Sequence, residues 1–222
     1  MSRRKALLLA IAVVALTAAA AVSAGDGKEQ IKLNPADQAA ARAVLIRRSD
    51  LGSSGWQGGR VKPDLSAGPT CPNYHPKRSD LVITGAAKAA FRRSALEFDS
   101  AAEVLKTRRM VALDWRRSVL VPGAVSCLRQ TMSNGLGSGA KVVSFRKLPF
   151  PHLSTYTAFF RGVIVIVVDA QGQTARVLAD IVLVGRRRTE ITLSVAGPAG
   201  AKNAISAAER RLARVLISRA RT

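Results

Sequence analysis

Residues 153–195 constrain this chain more than any other stretch, because they hold three apolar runs separated by short groups of turn-forming residues. Residues 156–168 are rich in β-branched and aromatic side chains, Asp169-Ala170-Gln171-Gly172 supplies turn chemistry, and residues 174–184 resume the apolar run. This order predicts a β-hairpin. After Arg186-Arg187, residues 189–195 alternate strictly, with Ile191, Leu193 and Val195 on one face and Glu190, Thr192 and Ser194 on the other. The alternation predicts another antiparallel strand, buried on one face and solvated on the other. The expected fold class is therefore α+β: an antiparallel sheet ending in this meander, with helices packed on one face. Ile181, Leu183, Ile191, Leu193, Val195, Leu212 and Val215 are expected to share one core.

Helix signals bracket the sheet. Asn34-Pro35-Ala36-Asp37 combines a capping side chain, a proline at the first helical position and an acid in the first turn. The spacing predicts a helix from there to about Arg48, with Ala36, Ala39, Ala40, Ala43 and Ile46 or Arg47 turned inward. Thr107 can cap a helix that carries Val111, Trp115 and Val119 at intervals of four, and Pro122 opens another that brings Ala124, Cys127 and Leu128 to one side. A last helix over residues 201–218 carries an apolar stripe through Ile205 and Leu212, with Lys202, Arg210, Arg214 and Arg221 opposite. Residues 86–105 satisfy two patterns: Ala86–Phe91 has strong helix propensity, whereas Leu96, Phe98, Ala102 and Val104 against Glu97, Asp99 and Glu103 fit a strand. A strand is expected at residues 142–147. Residues 51–76 read as a loop dense in Gly, Pro, Ser and Asp, in which Trp56 and Tyr74 either staple the loop to the core or face a ligand.

The N-terminus bears on compartment. Arg3-Arg4-Lys5 precedes an uncharged run over residues 6–22, and Val22-Ser23-Ala24 offers the small residues that signal peptidase reads. Residues 1–24 are thus expected to be an export signal, with an uncleaved anchor as the alternative, since the run approaches the roughly 18-residue minimum for a membrane span. Residues 25–33 are expected to be a flexible arm and residues 34–222 a single domain. Removing the signal takes 3 of 35 Lys+Arg and none of 14 Asp+Glu, which leaves the chain at about +18. Charge of this sign favours contact with polyanions, such as anionic lipid headgroups, wall polymer or nucleic acid, the alternative being a solvated arginine-rich surface.

Two cysteines, Cys71 and Cys127, lie in the exported part, where one disulfide is the default. Closing a loop of about 57 residues is worth roughly 4 kcal/mol in the chain-entropy account. No zinc ligand set exists, because His75 and His152 are the only histidines and neither stands at ligand spacing from another His or Cys. No cofactor is expected. The run Ser133–Gly139 resembles a phosphate loop only in its glycines, lacks the closing Gly-Lys-Ser/Thr, and reads as a linker.

The order Ser49-Asp50-Leu51-Gly52-Ser53-Ser54-Gly55-Trp56, Cys71-Pro72, Ser79-Asp80-Leu81-Val82-Ile83-Thr84-Gly85, Cys127-Leu128 and Val184-Gly185-Arg186-Arg187-Arg188-Thr189-Glu190-Ile191 resembles small exported actinobacterial proteins. These are similar to the extracytoplasmic sensor domains of PknH-type kinases and to the PsbP-like α+β fold. The resemblance implies strands over residues 86–105, paired cysteines, and a ligand cleft between sheet and helices. The chain departs from it in having one possible disulfide and no kinase portion.

No nucleophile elbow is present, and Glu97, Asp99 and Glu103 read as acids paired with Lys88, Arg92 or Arg93 rather than as a glycosidase pair. The expectation is a secreted, non-enzymatic, monomeric binding domain for a small or lipid-like molecule, with Trp56, Tyr74 and Trp115 as ligand-facing aromatics. The alternatives are an envelope protein that binds polyanions through Arg186, Arg187, Arg188, Arg210 and Arg214, and a hydrolase without a recognisable motif. Nucleic acid is not expected as a physiological partner.

Overall fold

The computed structural model describes residues 28–52, 54–65, 71–169 and 171–221. The proposed signal and its cleavage site lie outside them, and among the described residues no helix is long and apolar enough to cross a membrane. Strand β1 (Gln30–Ile31) is followed by α1 (Pro35–Ala43), a 3₁₀ turn (Arg48–Leu51), β2 (Gln57–Val61), β3 (Val82–Arg93) and β4 (Leu96–Leu105). Then come α2 (Arg108–Asp114), a π-helical turn (Trp115–Val119), α3 (Gly123–Asn134), β5 (Ala140–Leu148), β6 (Tyr156–Val167), β7 (Thr174–Arg186), β8 (Thr189–Pro198) and α4 (Lys202–Arg219). The strands form an eight-stranded sheet in the order β1-β3-β4-β8-β7-β6-β5, with β2 also pairing β3. All pairs are antiparallel except β1 with β3.

The meander predicted over residues 153–195 is β6–β8, and the ambiguous stretch 86–105 is the hairpin β3–β4, turned through Ser94 at φ 53°. Alanines with high helix propensity occupy β3 because the neighbouring elements leave little room. At Gly85 an added Cβ would lie 2.2 Å from the Asp37 carbonyl oxygen of α1, so this crossing admits only glycine. The arm expected to be flexible is tied down from Glu29 onward: Gln30 and Ile31 pair with Val82 and Ile83.

The helices divide between the two faces of the sheet instead of sharing one. α1 and α4 bury Ala41, Val44, Leu212 and Leu216 against Phe91, Val182, Ile191 and Leu193. α2, the π-turn and α3 bury Val111, Trp115 and Leu128 against Ile83, Phe160, Ile181 and Leu183. The expected single core is therefore two. Register decides this: Val182 lies opposite Leu193 and Val184 opposite Ile191, so Ile181 and Leu183, which lie opposite Ser194 and Thr192, point to the other side. Val215 is only half-buried. The side of β8 expected to be solvated is covered, with Ser194 buried and Glu190 and Thr192 half-buried.

Asn34 caps α1 as expected, its side chain accepting from the Asp37 N–H at 2.9 Å. The helix stops at Ala43, however, and turns Asp37, Ala41 and Val44 inward while Ala36, Ala39 and Ala43 are exposed. The ion pair between Asp37 and Arg188 sets this rotation, with an Arg188 Nη2 to Asp37 Oδ1 distance of 2.7 Å. Thr107 caps α2, and Ala124, Cys127 and Leu128 are buried on α3. Cys71 and Cys127 are joined in a disulfide that holds the residue 71–74 turn against α3.

Candidate functional site

Concavities lie on both faces of the sheet. The first is apolar, about 170 Å³, and sits between the end of the β3–β4 hairpin and α4. It exists because α4 carries alanine at positions 204 and 208, one turn apart, where bulkier side chains would close the gap; Ile205 and Leu212 supply the flanking walls. The opposite wall is Trp56, Leu96 and Phe98, with Leu51 at one end. Trp56 meets Phe98 edge to face at 5.4 Å between centroids, and the Arg93 guanidinium lies 4.8 Å above the indole. Arg93 and Arg211 bring positive charge to the rim. The wall is held rigidly: Arg211 donates to the Asp50 carbonyl, and Arg219 grips the Asp50 carboxylate at 2.6 and 2.8 Å. Burial pushes the Asp50 carboxyl up, but the hydrogen bonds from Arg219 and from the Arg47 N–H outweigh it and hold the group below the usual carboxylate range. An apolar space of this size takes a short hydrocarbon segment or a small ring.

The second concavity, about 60 Å³, is acidic and lies beneath the π-turn. Glu103 of β4 and Glu190 of β8 are directly opposed across the sheet, and Asp114, the last residue of α2, closes over them with Trp115 and Val119. Gly185 lets this lid come down, since a Cβ there would lie 2.8 Å from Trp115 Nε1. Buried Arg78 is the counter-charge, with Nη2 2.5 Å from Glu29 and 3.3 Å from Asp114. Asp114 also accepts from Ser118 Oγ at 2.7 Å, and the Ser118 carbonyl accepts from Tyr74 Oη at 2.7 Å. Four carboxyl groups around one guanidinium cannot all ionise. Burial, and then the Glu29 charge, push Glu103 up to about 7. Glu190 is held well above the ordinary range by burial, by the charges of Asp114 and Glu103, and by a hydrogen bond with Asp114. Burial pushes the Tyr74 phenol up to about 12. Such a cluster can store protons, and no group of three or more ligands placed to hold a metal ion exists among the described residues.

The aromatics expected to face a common ligand are dispersed. Trp56 lines the apolar pocket, Trp115 roofs the acidic one 5.5 Å from Tyr156, and Tyr74 packs with the disulfide. Of Arg186, Arg187 and Arg188, expected to fan out as an anion contact, the first two are exposed and donate to the Ile217 and Arg221 carbonyls, and the third is half-buried and donates to the Asp37 carboxylate. They fasten the end of α4 and the start of α1. Arg210 and Arg214 are exposed on α4 as expected. Glu97, Asp99 and Glu103 do share one strand face, with Lys88 Nζ 3.9 Å from Asp99. Sequence reasoning did not single out Arg78, Asp114 or Glu190 for the acidic pocket, or Ala204 and Ala208 for the apolar one.

No family model and no curated protein matches the chain. Among solved structures, an uncharacterized Mycobacterium smegmatis protein, the Rv0999 ortholog, is 12% identical over 84% of this chain and 98% of that chain, with a TM-score of 0.47. The Saccharomyces cerevisiae Ran-binding protein Mog1p is 11% identical over 60% of this chain and 75% of that one, with a TM-score of 0.24.

Proposed function

We propose that this chain is an exported, non-catalytic binding domain that seats the apolar part of a small or lipid-like amphiphile in the pocket beneath α4. The observation that carries this reading is the pair Ala204 and Ala208, which leaves about 170 Å³ of apolar space against Trp56 and Phe98. Arg93 and Arg211 at the rim favour a carboxylate, sulfonate or phosphate at the polar end of the ligand. The basic leader and the disulfide support an oxidising, extracytoplasmic compartment.

Trp56 provides the assay, because its indole forms part of the pocket wall. Titration with lauric acid should change the tryptophan emission of the wild-type protein and of Trp115→Phe, but not of Trp56→Phe. Ala208→Trp, which fills the pocket, should abolish uptake of anilinonaphthalene sulfonate. Unchanged uptake by Ala208→Trp would place the probe elsewhere and sink the proposal. The acidic pocket favours a second reading, a hydrolase, because a carboxyl near 7 suits general acid–base work. Its 60 Å³ has room for only a few waters, which counts against a sugar-sized substrate. Turnover of chromogenic esters or glycosides that vanished in Glu103→Gln would favour that reading.

A further inference from the structure

We propose that the groove along β4 and β8, on the α2–α3 side of the sheet, binds a linear polyamine, with one ammonium at Asp99 and Ser194 and another in the acidic pocket at Glu103 and Glu190. This groove lies on the other face from the apolar pocket and does not depend on it. The chain carries 14 Asp and Glu against 35 Lys and Arg, so its acids are scarce. Six of them gather along this strip: Glu97, Asp99 and Glu103 on one face of β4, Glu190 on β8, and Glu29 and Asp114 around Arg78. Among the described residues, the cations that lie against them are fewer: Lys88 and Arg92 of β3, and Arg78.

Two buried atoms mark the first end. Asp99 and Ser194 are directly opposed on β4 and β8 and are 6% and 7% exposed, and neither Asp99 Oδ1 nor Ser194 Oγ has a hydrogen-bond partner among the described residues. Lys88 Nζ stands 3.9 Å from Asp99 Oδ2, beyond hydrogen-bond reach. Burial raises the Asp99 carboxyl, and the Lys88 charge offsets this only in part. Both residues line a space of about 10 Å³ with Glu97 beside them, the room of one water-sized group. An ammonium has that size and carries three donors, which match Asp99 Oδ1, Ser194 Oγ and the Glu97 carboxylate.

Glu103 and Glu190 lie four residues further along the same two strands, about 13 Å away at the rise of a β-strand. Carboxyl groups outnumber the Arg78 guanidinium there, so this end also lacks positive charge. Between the two ends the groove floor is the opposed pair Ala101 and Thr192, half-exposed and uncharged, which suits a methylene chain. Acids strung along a line do not converge on one point, and among the described residues none form a ligand set for a metal ion. An extended cation with a charge at each end fits the spacing, and a triamine such as spermidine has that form. The net charge of +21 repels cations in general, so saturable uptake of a triamine requires a local site.

The test is isothermal titration calorimetry of spermidine into the purified protein at about 0.05 M salt, where screening is weak. Wild type should bind one spermidine per chain, and should bind putrescine, too short to reach both ends, on the order of tenfold more weakly. Asp99→Asn and Glu190→Gln keep the side-chain shapes and remove the charge, and each should lose on the order of tenfold in affinity for spermidine. The double variant Asp80→Asn, Asp169→Asn neutralises acids outside the groove and should lose less than about twofold. Ala101→Lys places an ammonium in the middle of the groove and should abolish binding while the melting temperature stays near that of wild type. Absence of saturable binding to wild type would overturn the proposal and leave the space at Asp99 to an ordered water. Equal affinity for putrescine and spermidine, or a loss confined to one of the two single variants, would overturn it by showing that the ends do not act together. Tighter binding of trilysine than of spermidine would overturn the choice of a polyamine in favour of a basic polypeptide.

Discussion

Glu209 is a carboxyl group placed where a charge is hard to keep, and replacing it with glutamine should make the protein more stable at neutral pH. It projects from α4 into the α1–α4 core, 1% exposed, toward Asp180 of β7. Arg161 serves Asp180 first: its Nε donates to both carboxylate oxygens at 2.8 and 2.9 Å, and its Nη2 completes the fork. Arg161 Nη2 reaches Glu209 Oε2 only at 3.5 Å. Burial, then the hydrogen bond with Asp180 and the Asp180 charge, push Glu209 up to about 9 from 4.5. The folded protein thus holds Glu209 protonated across neutrality, while the unfolded chain ionises it above pH 4.5. Stability that depends on this neutral carboxyl is complete below about pH 4.5 and is lost as pH rises from there through about 9. Each pH unit in that window removes ~1.4 kcal/mol, or about 3 kcal/mol by pH 7. Glu209→Gln keeps the shape and a donor for Asp180 but does not titrate. Urea unfolding monitored at intervals from pH 4 to pH 9 should give matched stabilities at pH 4, an advantage of about 3 kcal/mol for the glutamine variant at pH 7, and a widening gap above. Parallel curves, or a glutamine variant that is weaker at pH 7, would mean that Glu209 is ionised in the folded state and that Arg161 is shared evenly. Asp180→Asn should instead cost about 3–5 kcal/mol, because it leaves the guanidinium without its carboxylate.

Further expectations concern other parts of the molecule. Leu193→Ala should cost about 2–5 kcal/mol and Thr192→Ala under about 1, because the first side chain is fully enclosed beneath α4 and the second is half-buried; equal losses in thermal denaturation would place β8 one residue out of register. Cys127→Ala should cost about 2–5 kcal/mol, and thiol labelling of unreduced, denatured wild type should detect no free cysteine. Arg188 holds the Asp37 carboxyl down at about 2, so its stabilisation is present above pH 3.8 and is lost as pH falls through 2; Arg188→Gln should flatten the acid limb of the stability curve in that interval. Tyr74→Phe should cost about 1 kcal/mol by leaving the Ser118 carbonyl without its 2.7 Å donor, read as a shift in the denaturant midpoint.

The meander was legible because period-two alternation and turn residues agree over residues 156–195, and Thr107 and Pro122 start their helices for local reasons that any sequence reader shares. The hairpin β3–β4 was ambiguous because alanine favours a helix when nothing else intervenes. What decides for a strand is β2, α1 and β8 closing around it, which no local window contains. The division of helices between two faces was hidden for a related reason: β7 is apolar at both odd and even positions from Ile181 to Val184, so its pattern does not say which face a helix covers. The apolar pocket was half visible, since an aromatic in a polar loop, as Trp56 is, either staples the loop or faces a ligand, but its space depends on what Ala204 and Ala208 do not fill. The acidic pocket draws on five distant parts of the chain, Glu29, Arg78, Glu103, Asp114 and Glu190, and each alone reads as an ordinary charged residue.

The ion pair between Arg188 and Asp37 spans 151 residues and that between Arg219 and Asp50 spans 169. β4, near the middle of the sheet, pairs with β8, which is almost the last element to be made. A ribosome that has released the first half of this chain has released strands β2–β4, which can pair with one another, but α1 lacks its anchor and β4 has one empty side. Folding must wait for the C-terminus, and with pairings this distant it belongs to the millisecond-to-second class. Until then the partly made chain shows an unpaired strand edge at β4, the kind of edge that invites pairing with another chain.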